Sequence, residues 1–101
     1  MSLDPKLTLS VVIPCFNEDA VLPLLRARLV QALDALVEPW EAVMVDDGSC
    51  DTTLVQLREL HAADSRFKVL SFSRNFGHQA AISAGLRYAS GDVVAILDAD
   101  L

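Results

Sequence analysis

The sequence predicts half of a doubly wound α/β fold, in which four mainly parallel strands alternate with three helices. Three observations favour this class. Short apolar runs rich in β-branched residues alternate with segments whose leucines or small residues recur at helical spacing. Each helical segment is long enough to connect two parallel strands by a right-handed crossover. The length of 101 residues suits one small domain.

The first strand is predicted over residues 9–13 and is expected to end at Pro14, because proline has no N–H to donate to a sheet. The first helix is predicted to begin near Asp19 or Ala20, since Pro23 is tolerated only in the first turn of a helix. Its apolar face recurs at spacings of three and four residues and comprises Leu22, Leu25, Leu29, Leu33 and Leu36.

The other three strands are apolar runs predicted over residues 41–45, 68–72 and 93–97. The second helix follows Asp51, whose carboxylate can accept a hydrogen bond from the first turn. Its apolar face comprises Leu54, Leu57 and Leu60. The third helix is rich in small residues and is predicted over residues 78–89.

The composition restricts the partners that this chain can bind. A net charge of −6 without any cluster of Lys or Arg argues against a nucleic-acid backbone. The sequence has neither the apolar run of about 18 residues that a membrane-spanning helix needs nor a basic leader, so a cytoplasmic location is expected. Cys15 and Cys50 are then expected to be reduced thiols without a ligand, and His61 to lie on the surface of the second helix.

Polar residues follow each of the four predicted strands. The four clusters are Asn17-Glu18, Asp46-Asp47, Arg74-Asn75 and Asp98 with Asp100. In open α/β sheets, ligands bind beyond the carboxyl ends of the strands, where the strand order reverses. Because parallel strands all end at one edge of the sheet, the four clusters are expected to form one ligand site there.

The segment after the first strand distinguishes between nucleotide ligands. A dinucleotide-binding fold carries glycines here, so that backbone N–H groups approach a pyrophosphate. This chain has Pro14-Cys15-Phe16-Asn17-Glu18 instead. The Glu18 carboxylate would repel phosphate, but it can accept hydrogen bonds from a base or a ribose. The alternative is that Asn17 or Glu18 only caps the first helix.

The next two clusters offer hydrogen-bond acceptors and cations. Asp46 and Asp47 can accept hydrogen bonds from a base N–H or a ribose hydroxyl, and the alternative is an ordinary Asp-Gly turn. Arg74 and His78 can each meet a phosphate or stack on a base, and the alternative is a solvated surface group.

Asp98 and Asp100 lie two residues apart at the end of the fourth predicted strand. Side chains at this spacing in a strand point to the same face, so both carboxylates can approach one hard divalent cation. A cation held by few protein carboxylates, with ligand phosphates in its other positions, suits Mg²⁺ or Mn²⁺. The alternative is a solvated turn.

The segments 14–18, 45–49, 74–78 and 97–101 resemble the successive motifs of family 2 glycosyltransferases with the GT-A fold. The resemblance covers about residues 8–101 and is closest to the polyprenyl-phosphate glycosyltransferases, a branch similar to dolichol-phosphate mannose synthase. It implies a three-layer, Rossmann-like half of a GT-A fold with the strand order 3-2-1-4.

The resemblance also implies inverting transfer of a sugar from a UDP- or GDP-linked donor to an acceptor that is commonly a lipid phosphate. Asp98 and Asp100 would hold Mg²⁺ or Mn²⁺ on the donor diphosphate. The residues expected to contact the nucleotide are Pro14, Phe16, Glu18, Asp46, Asp47, Arg74, Asn75, Gly77 and His78. Within this set, the resemblance assigns Pro14, Phe16 and Glu18 to the base and ribose. Asp46 and Asp47 would accept hydrogen bonds from the base.

Members of this family continue well beyond the residues compared here, often into membrane helices. Residues 1–101 are therefore expected to be a single nucleotide-sugar-binding N-terminal domain, truncated after the metal motif and inactive alone, from a protein at the cytoplasmic membrane face. In the implied strand order, strand 93–97 is an uncovered edge that can pair with a second copy. The alternatives are a nucleotide-binding module without catalysis and a nucleotidyltransferase, although nucleotidyltransferases usually carry a glycine-rich, basic loop after the first strand.

Overall fold

A computed structural model describes residues 7–99 and shows strands and helices in strict alternation. The elements are β1 (Leu9–Cys15), α1 (Leu22–Asp34), β2 (Trp40–Asp46), α2 (Thr53–Ala63), β3 (Phe67–Ser71), α3 (His78–Tyr88) and β4 (Val93–Ile96). All neighbouring strands are parallel, and their order in the sheet is β3-β2-β1-β4. The predicted fold class and strand order are therefore confirmed.

The sheet lies between two helical layers. Alternate residues of β1, beginning with Val11 and Ile13, pack in one apolar cluster with the leucines of α1 and α2. Val12 points to the opposite face, where it packs with Ala81 of α3. This division follows from the pleat of a strand, in which successive side chains point to opposite faces. The three-layer arrangement is thus confirmed as well.

Strand β1 continues through Pro14 to Cys15, so the predicted end of this strand was wrong. The Leu97 N–H donates to the Val12 carbonyl, which shows that even-numbered residues of β1 direct their backbone groups toward β4. Pairing between these two strands ends at Val12 opposite Ile96. The Pro14 nitrogen, which has no hydrogen, points toward β4 beyond the last paired residues, Val12 and Ile96. The proline therefore removes no hydrogen bond from the β1–β4 pairing.

Helix α1 begins at Leu22, two or three residues later than predicted. The N–H groups of Val21 and Leu22 both donate to the Glu18 carbonyl at 3.1 Å, so a separate turn precedes the helix. Pro23 lies in the first turn, as predicted. Four of the five predicted leucines are buried, but Leu36 lies beyond the helix end and is 44% exposed.

The remaining elements match the predictions to within one residue at each end. In α2 the buried residues are Thr53, Leu57 and Leu60, whereas Leu54 is only partly buried. The assigned N-cap of α2 is Thr52, but the Asp51 carboxylate accepts a hydrogen bond from the Thr53 N–H at 2.9 Å. Asp51 thus satisfies a donor of the first turn, as the sequence predicted.

Strand β4 lies at the edge of the sheet and is exposed on both faces. Val93 and Ile96, which point to opposite faces, are 50% and 46% exposed. Among residues 7–99 no strand pairs with the outer side of β4. Nor does any helix in this part of the chain have the length and apolar character needed to cross a membrane.

Candidate functional site

An open cleft of about 320 Å³ lies at the edge of the sheet where the strands end. Its lining residues are Pro14, Cys15, Phe16, Glu18, Asp47, Asn75, Gly77, His78, Asp98 and Ala99. Eight of these ten were predicted from the sequence as site residues, all except Cys15 and Ala99. The structure therefore brings together residues that are far apart in the chain.

The last residues of β1 and the loop after it form one wall of the cleft. The Phe16 side chain is 42% exposed, which leaves its ring available to a ligand. Cys15 is buried beside it, and its thiol donates to the Ile13 carbonyl at 3.6 Å. Burial, reinforced by the nearby Glu18 and Asp46 carboxylates, raises the pKa of the Cys15 thiol to about 12. The thiol is therefore neutral at physiological pH.

The Asp47 carboxylate connects the loop after β2 to the loop after β3. Its side chain is buried, and its oxygens accept hydrogen bonds from the N–H groups of Phe76 at 2.8 Å and Gly77 at 3.2 Å. Charge-assisted hydrogen bonds of this kind are stronger than those between neutral groups. Asp47 therefore holds in place the loop that carries Asn75 and His78 to the cleft.

Gly48 allows the same two loops to pack against each other. Its φ angle is 72°, in the left-handed region that glycine adopts without strain. A Cβ atom at this position would lie 2.2 Å from the Arg74 carbonyl carbon and 2.4 Å from the Asn75 nitrogen. Any larger residue would therefore have to push the β3–α3 loop away from the cleft.

Asn17 does not line the cleft, and neither do Asp46 and Arg74, which were expected to contact the nucleotide. The Asp46 side chain is 2% exposed, and its Oδ1 accepts a hydrogen bond from the Ser49 N–H at 3.2 Å, which stabilises the turn after β2. The Arg74 guanidinium lies 4.2 Å from the centre of the Phe76 ring in a cation–π contact. The nucleotide contacts expected of Asp46 and Arg74 stay predictions.

The first turn of α3 also lines the cleft. Gly77 is the N-cap of this helix and His78 is its first residue, and both line the cleft. The N-terminus of a helix carries a partial positive charge and free N–H groups that favour anions. The Asp47 carboxylate already accepts the Gly77 N–H at this helix end.

Asp98 lies just beyond β4, with its exposed carboxylate in the cleft. Asp100, its predicted partner in metal binding, lies outside the described residues. Within residues 7–99 no three His, Cys, Asp or Glu side chains are grouped as metal ligands. A carboxylate at an open site nevertheless fits Mg²⁺ or Mn²⁺, which take few protein ligands when ligand phosphates complete their coordination.

The two cysteines are free thiols, Cys15 buried and Cys50 exposed. His61 is exposed on α2, as predicted, and its Nδ1 lies 2.5 Å from the Phe67 carbonyl. Cys15 was not predicted as a cleft residue, because its thiol was expected to have no ligand although its neighbours Pro14 and Phe16 were assigned to the nucleotide.

Sequence comparison identifies the family. The model of the family described as Glycosyl transferase family 2 matches residues 10–101, which is most of the chain. This chain belongs to glycosyltransferase family 2. Membership in this family favours a glycosyltransferase over the nucleotidyltransferase alternative.

Curated relatives within family 2 are similar over nearly the whole chain. The uncharacterized glycosyltransferase YkcC of Bacillus subtilis is 45% identical over 92 residues, which are 91% of this chain and 28% of YkcC. The undecaprenyl-phosphate 4-deoxy-4-formamido-L-arabinose transferase of Aeromonas hydrophila is 44% identical over 93 residues, again 91% of this chain and 28% of the relative. The chain thus spans little more than a quarter of these relatives.

Solved structures of glycosyltransferases share the fold. The mannosyltransferase PcManGT of Pyrobaculum calidifontis, in complex with GDP-Man and Mn²⁺, has a TM-score of 0.75 and 27% identity over 95% of this chain and 28% of its own. TarS of S. aureus, in complex with UDP-GlcNAc, has a TM-score of 0.73 and 29% identity over 92% of this chain and 26% of its own. The GT-A assignment of this family 2 domain is therefore confirmed.

Proposed function

We propose that this chain is the nucleotide-sugar-binding N-terminal domain of a glycosyltransferase that transfers a sugar from a nucleotide diphosphate to a polyprenyl phosphate. The observation that carries this proposal is the cleft at the carboxyl edge of the sheet, which gathers eight of the site residues predicted from the sequence. The ligands of PcManGT and TarS support a nucleotide-sugar donor. The undecaprenyl-phosphate transferase from Aeromonas hydrophila supports a lipid phosphate acceptor.

The nucleoside would bind between the β1–α1 and β2–α2 loops. Pro14 and Phe16 provide apolar surface for a base, and the carboxylates of Glu18 and Asp47 are acceptors for base N–H groups or ribose hydroxyls. Each Asp47 oxygen already accepts one backbone N–H, and a carboxylate oxygen can accept a further hydrogen bond. Asp46 would act indirectly, through the turn that it stabilises.

The diphosphate would bind at the other end of the cleft. The N-terminus of α3 with His78 faces this space, and Asp98 contributes a carboxylate from the end of β4. We assign Asp98, together with Asp100, as the residues that hold Mg²⁺ or Mn²⁺. The ion would neutralise charge on the departing nucleoside diphosphate. Asn75 and Gly77 would shape the wall next to the sugar.

A lipid phosphate acceptor would need little help from a base. A phosphate oxygen is already anionic near neutral pH, so its attack needs less help from a general base than that of a sugar hydroxyl. The whole protein would work at the cytoplasmic face of a membrane, where such lipids are accessible. Residues 1–101 alone would bind the donor without measurable transfer.

The proposal is tested by calorimetric titration of the chain with UDP and GDP, each with and without Mn²⁺. Wild-type protein should bind one of them, and more tightly with Mn²⁺. D98N should remove most of this Mn²⁺ dependence, because the neutral amide is a weaker ligand for a hard cation. E38Q, a charge-matched change in an exposed residue of the α1–β2 connection, should leave binding unchanged.

Absence of binding to both nucleotides would refute the proposal. Binding that is the same with and without Mn²⁺ would refute the metal assignment alone. Binding without transfer by a longer protein that contains this domain would instead favour a nucleotide-binding module without catalysis.

A further inference from the structure

The β1–α1 loop is joined to the β2–α2 loop by hydrogen bonds that run in both directions. The Asn17 N–H donates to Ser49 Oγ at 2.9 Å, and the Cys50 N–H donates to Asn17 Oδ1 at 2.8 Å. We refer to these three residues as the Asn17 clasp. Asn17 thus both donates and accepts a hydrogen bond between two loops that contribute residues to the lining of the cleft.

The backbone at Asn17 is turned so that its neighbours reach the cleft while its own side chain does not. Its φ angle is 54°, in the left-handed region that asparagine enters more readily than most residues. Phe16 and Glu18 line the cleft on either side of it, and Asn17 lies outside that lining. The Glu18 N–H also donates to the buried Thr53 hydroxyl at 2.9 Å, which extends the connection between the loops.

The helices that follow these loops do not fix the loops through their N-cap side chains. The N-cap residues Val21 of α1 and Thr52 of α2 both lack a side-chain cap hydrogen bond. The Thr52 hydroxyl donates instead to Asp19 Oδ2 at 3.0 Å, across the same gap. Polar side chains that commonly cap a helix are used here to hold one loop against the other.

We propose that Asn17 is a positioning residue for nucleoside recognition, holding Phe16 and Glu18 in the orientation that binds the base and ribose of a nucleoside diphosphate. This inference rests on the proposed function. Loops that are ordered before the ligand arrives lose less conformational entropy on binding. The clasp lies between the ends of β1 and β2, whereas Asp98 lies beyond β4 on the other side of β1. Loss of the clasp should therefore weaken binding of the nucleoside more than binding of the diphosphate.

Two substitutions separate the hydrogen bond from the backbone conformation. In N17G the backbone keeps a positive φ without strain, but the acceptor for the Cys50 N–H is lost. In N17D an oxygen acceptor remains, on a residue that also tolerates this conformation. S65G is the matched control, because Ser65 is an exposed turn residue between α2 and β3 at the opposite edge of the sheet.

The experiment is calorimetry of the 101-residue chain with UDP, GDP and inorganic pyrophosphate, all in the presence of Mn²⁺. N17G should weaken binding of the preferred nucleotide about fivefold or more, which corresponds to the loss of one effective hydrogen bond. The affinity of N17G for pyrophosphate should stay within about twofold of the wild-type affinity. N17D and S65G should bind the nucleotide with an affinity within about twofold of wild type.

Hydrogen exchange measured by NMR provides a readout without ligand. The Cys50 amide should be protected in wild type and N17D, and should exchange at least about fivefold faster in N17G, because its acceptor is Asn17 Oδ1. Thermal unfolding of each variant establishes that the fold is retained. An unchanged Cys50 exchange rate in N17G would show that Asn17 Oδ1 does not protect the Cys50 N–H, and would overturn the proposal.

The remaining outcomes distinguish the two proposals. Equal nucleotide affinity of N17G and wild type would overturn the positioning role and leave the proposed function standing. Equal weakening of nucleotide and pyrophosphate would show a merely structural role for Asn17 and also overturn the inference. If wild-type chain bound neither UDP nor GDP, the proposed function and this inference would both fail.

Discussion

At the scale of single residues, Asp47 illustrates why a residue type and its position do not determine its role. The sequence predicted an acceptor for a base, because an aspartate follows a buried strand. In the structure each of its oxygens accepts a backbone N–H from residues 29 and 30 positions further along the chain. This contact depends on how two loops meet in space, and local sequence patterns carry no information about that.

We expect D47N to destabilise the domain by about 1–3 kcal/mol, because the amide nitrogen cannot accept a hydrogen bond and one partly buried N–H loses its bond to a charged group. Urea unfolding followed by circular dichroism measures this change. The control is E59Q, which removes a carboxylate charge from an exposed residue of α2. Similar stability of D47N and wild type would show that Asp47 does not hold the β3–α3 loop.

At the scale of elements, Glu41 of β2 connects three segments at the edge of the sheet opposite the cleft. Its Oε2 accepts hydrogen bonds from Ser10 Oγ in β1 at 2.6 Å, and from the N–H and hydroxyl of Ser90 before β4 at 2.7 and 2.9 Å. Partial burial by itself raises the pKa of Glu41, but the hydrogen bonds from Ser10 and Ser90 outweigh it and hold the pKa below its ordinary value of 4.5.

Acidification should therefore weaken the fold through Glu41. A carboxyl group whose pKa is lower in the folded chain stabilises the fold above the unfolded pKa and loses this contribution as the pH falls through the folded pKa. Unfolding free energies of wild type should decrease as the pH falls below 4.5. E41Q should show a shallower decrease over this range. An identical pH dependence for E41Q and wild type would contradict this expectation.

The elements were predictable because their signals are local. The spacing of the leucines in α1 and the apolar runs of the strands determined the order of elements and the fold. The errors occurred where a neighbour in space decides the outcome. Strand β1 passes through Pro14 because β2 continues to pair with it there, and this pairing cannot be deduced from the proline itself.

At the scale of the whole molecule, topology made most of the site predictable. Parallel strands place their carboxyl ends along one edge, so polar residues after β1, β2, β3 and β4 meet there without further information. Asp46 and Arg74 lie at the same edge but do not line the cleft, because topology places a residue at the edge whereas local packing decides where its side chain points. The metal role of Asp98 with Asp100 stays a prediction.

The open side of β4 should cause the chain to associate with a second copy. Its apolar side chains are exposed on both faces, and no strand among residues 7–99 pairs with its outer side, which favours pairing between two such strands. Sedimentation velocity over a concentration series should show a dimer that V93K weakens about tenfold or more, because a charge on an edge strand opposes pairing. V55K is the control, since Val55 on α2 is 55% exposed and Val93 is 50% exposed. A wild-type chain that is monomeric at all concentrations would refute this prediction.

The contrast between the two thiols has a practical consequence. Electrophilic reagents react with the thiolate, and burial keeps Cys15 protonated, whereas Cys50 is exposed. The sequence has only these two cysteines. A fluorophore or spin label would therefore attach to native protein at Cys50 without mutagenesis, next to the hydrogen bond from its N–H to Asn17. The chain thus carries its own attachment point for a probe beside the contact between the β1–α1 and β2–α2 loops.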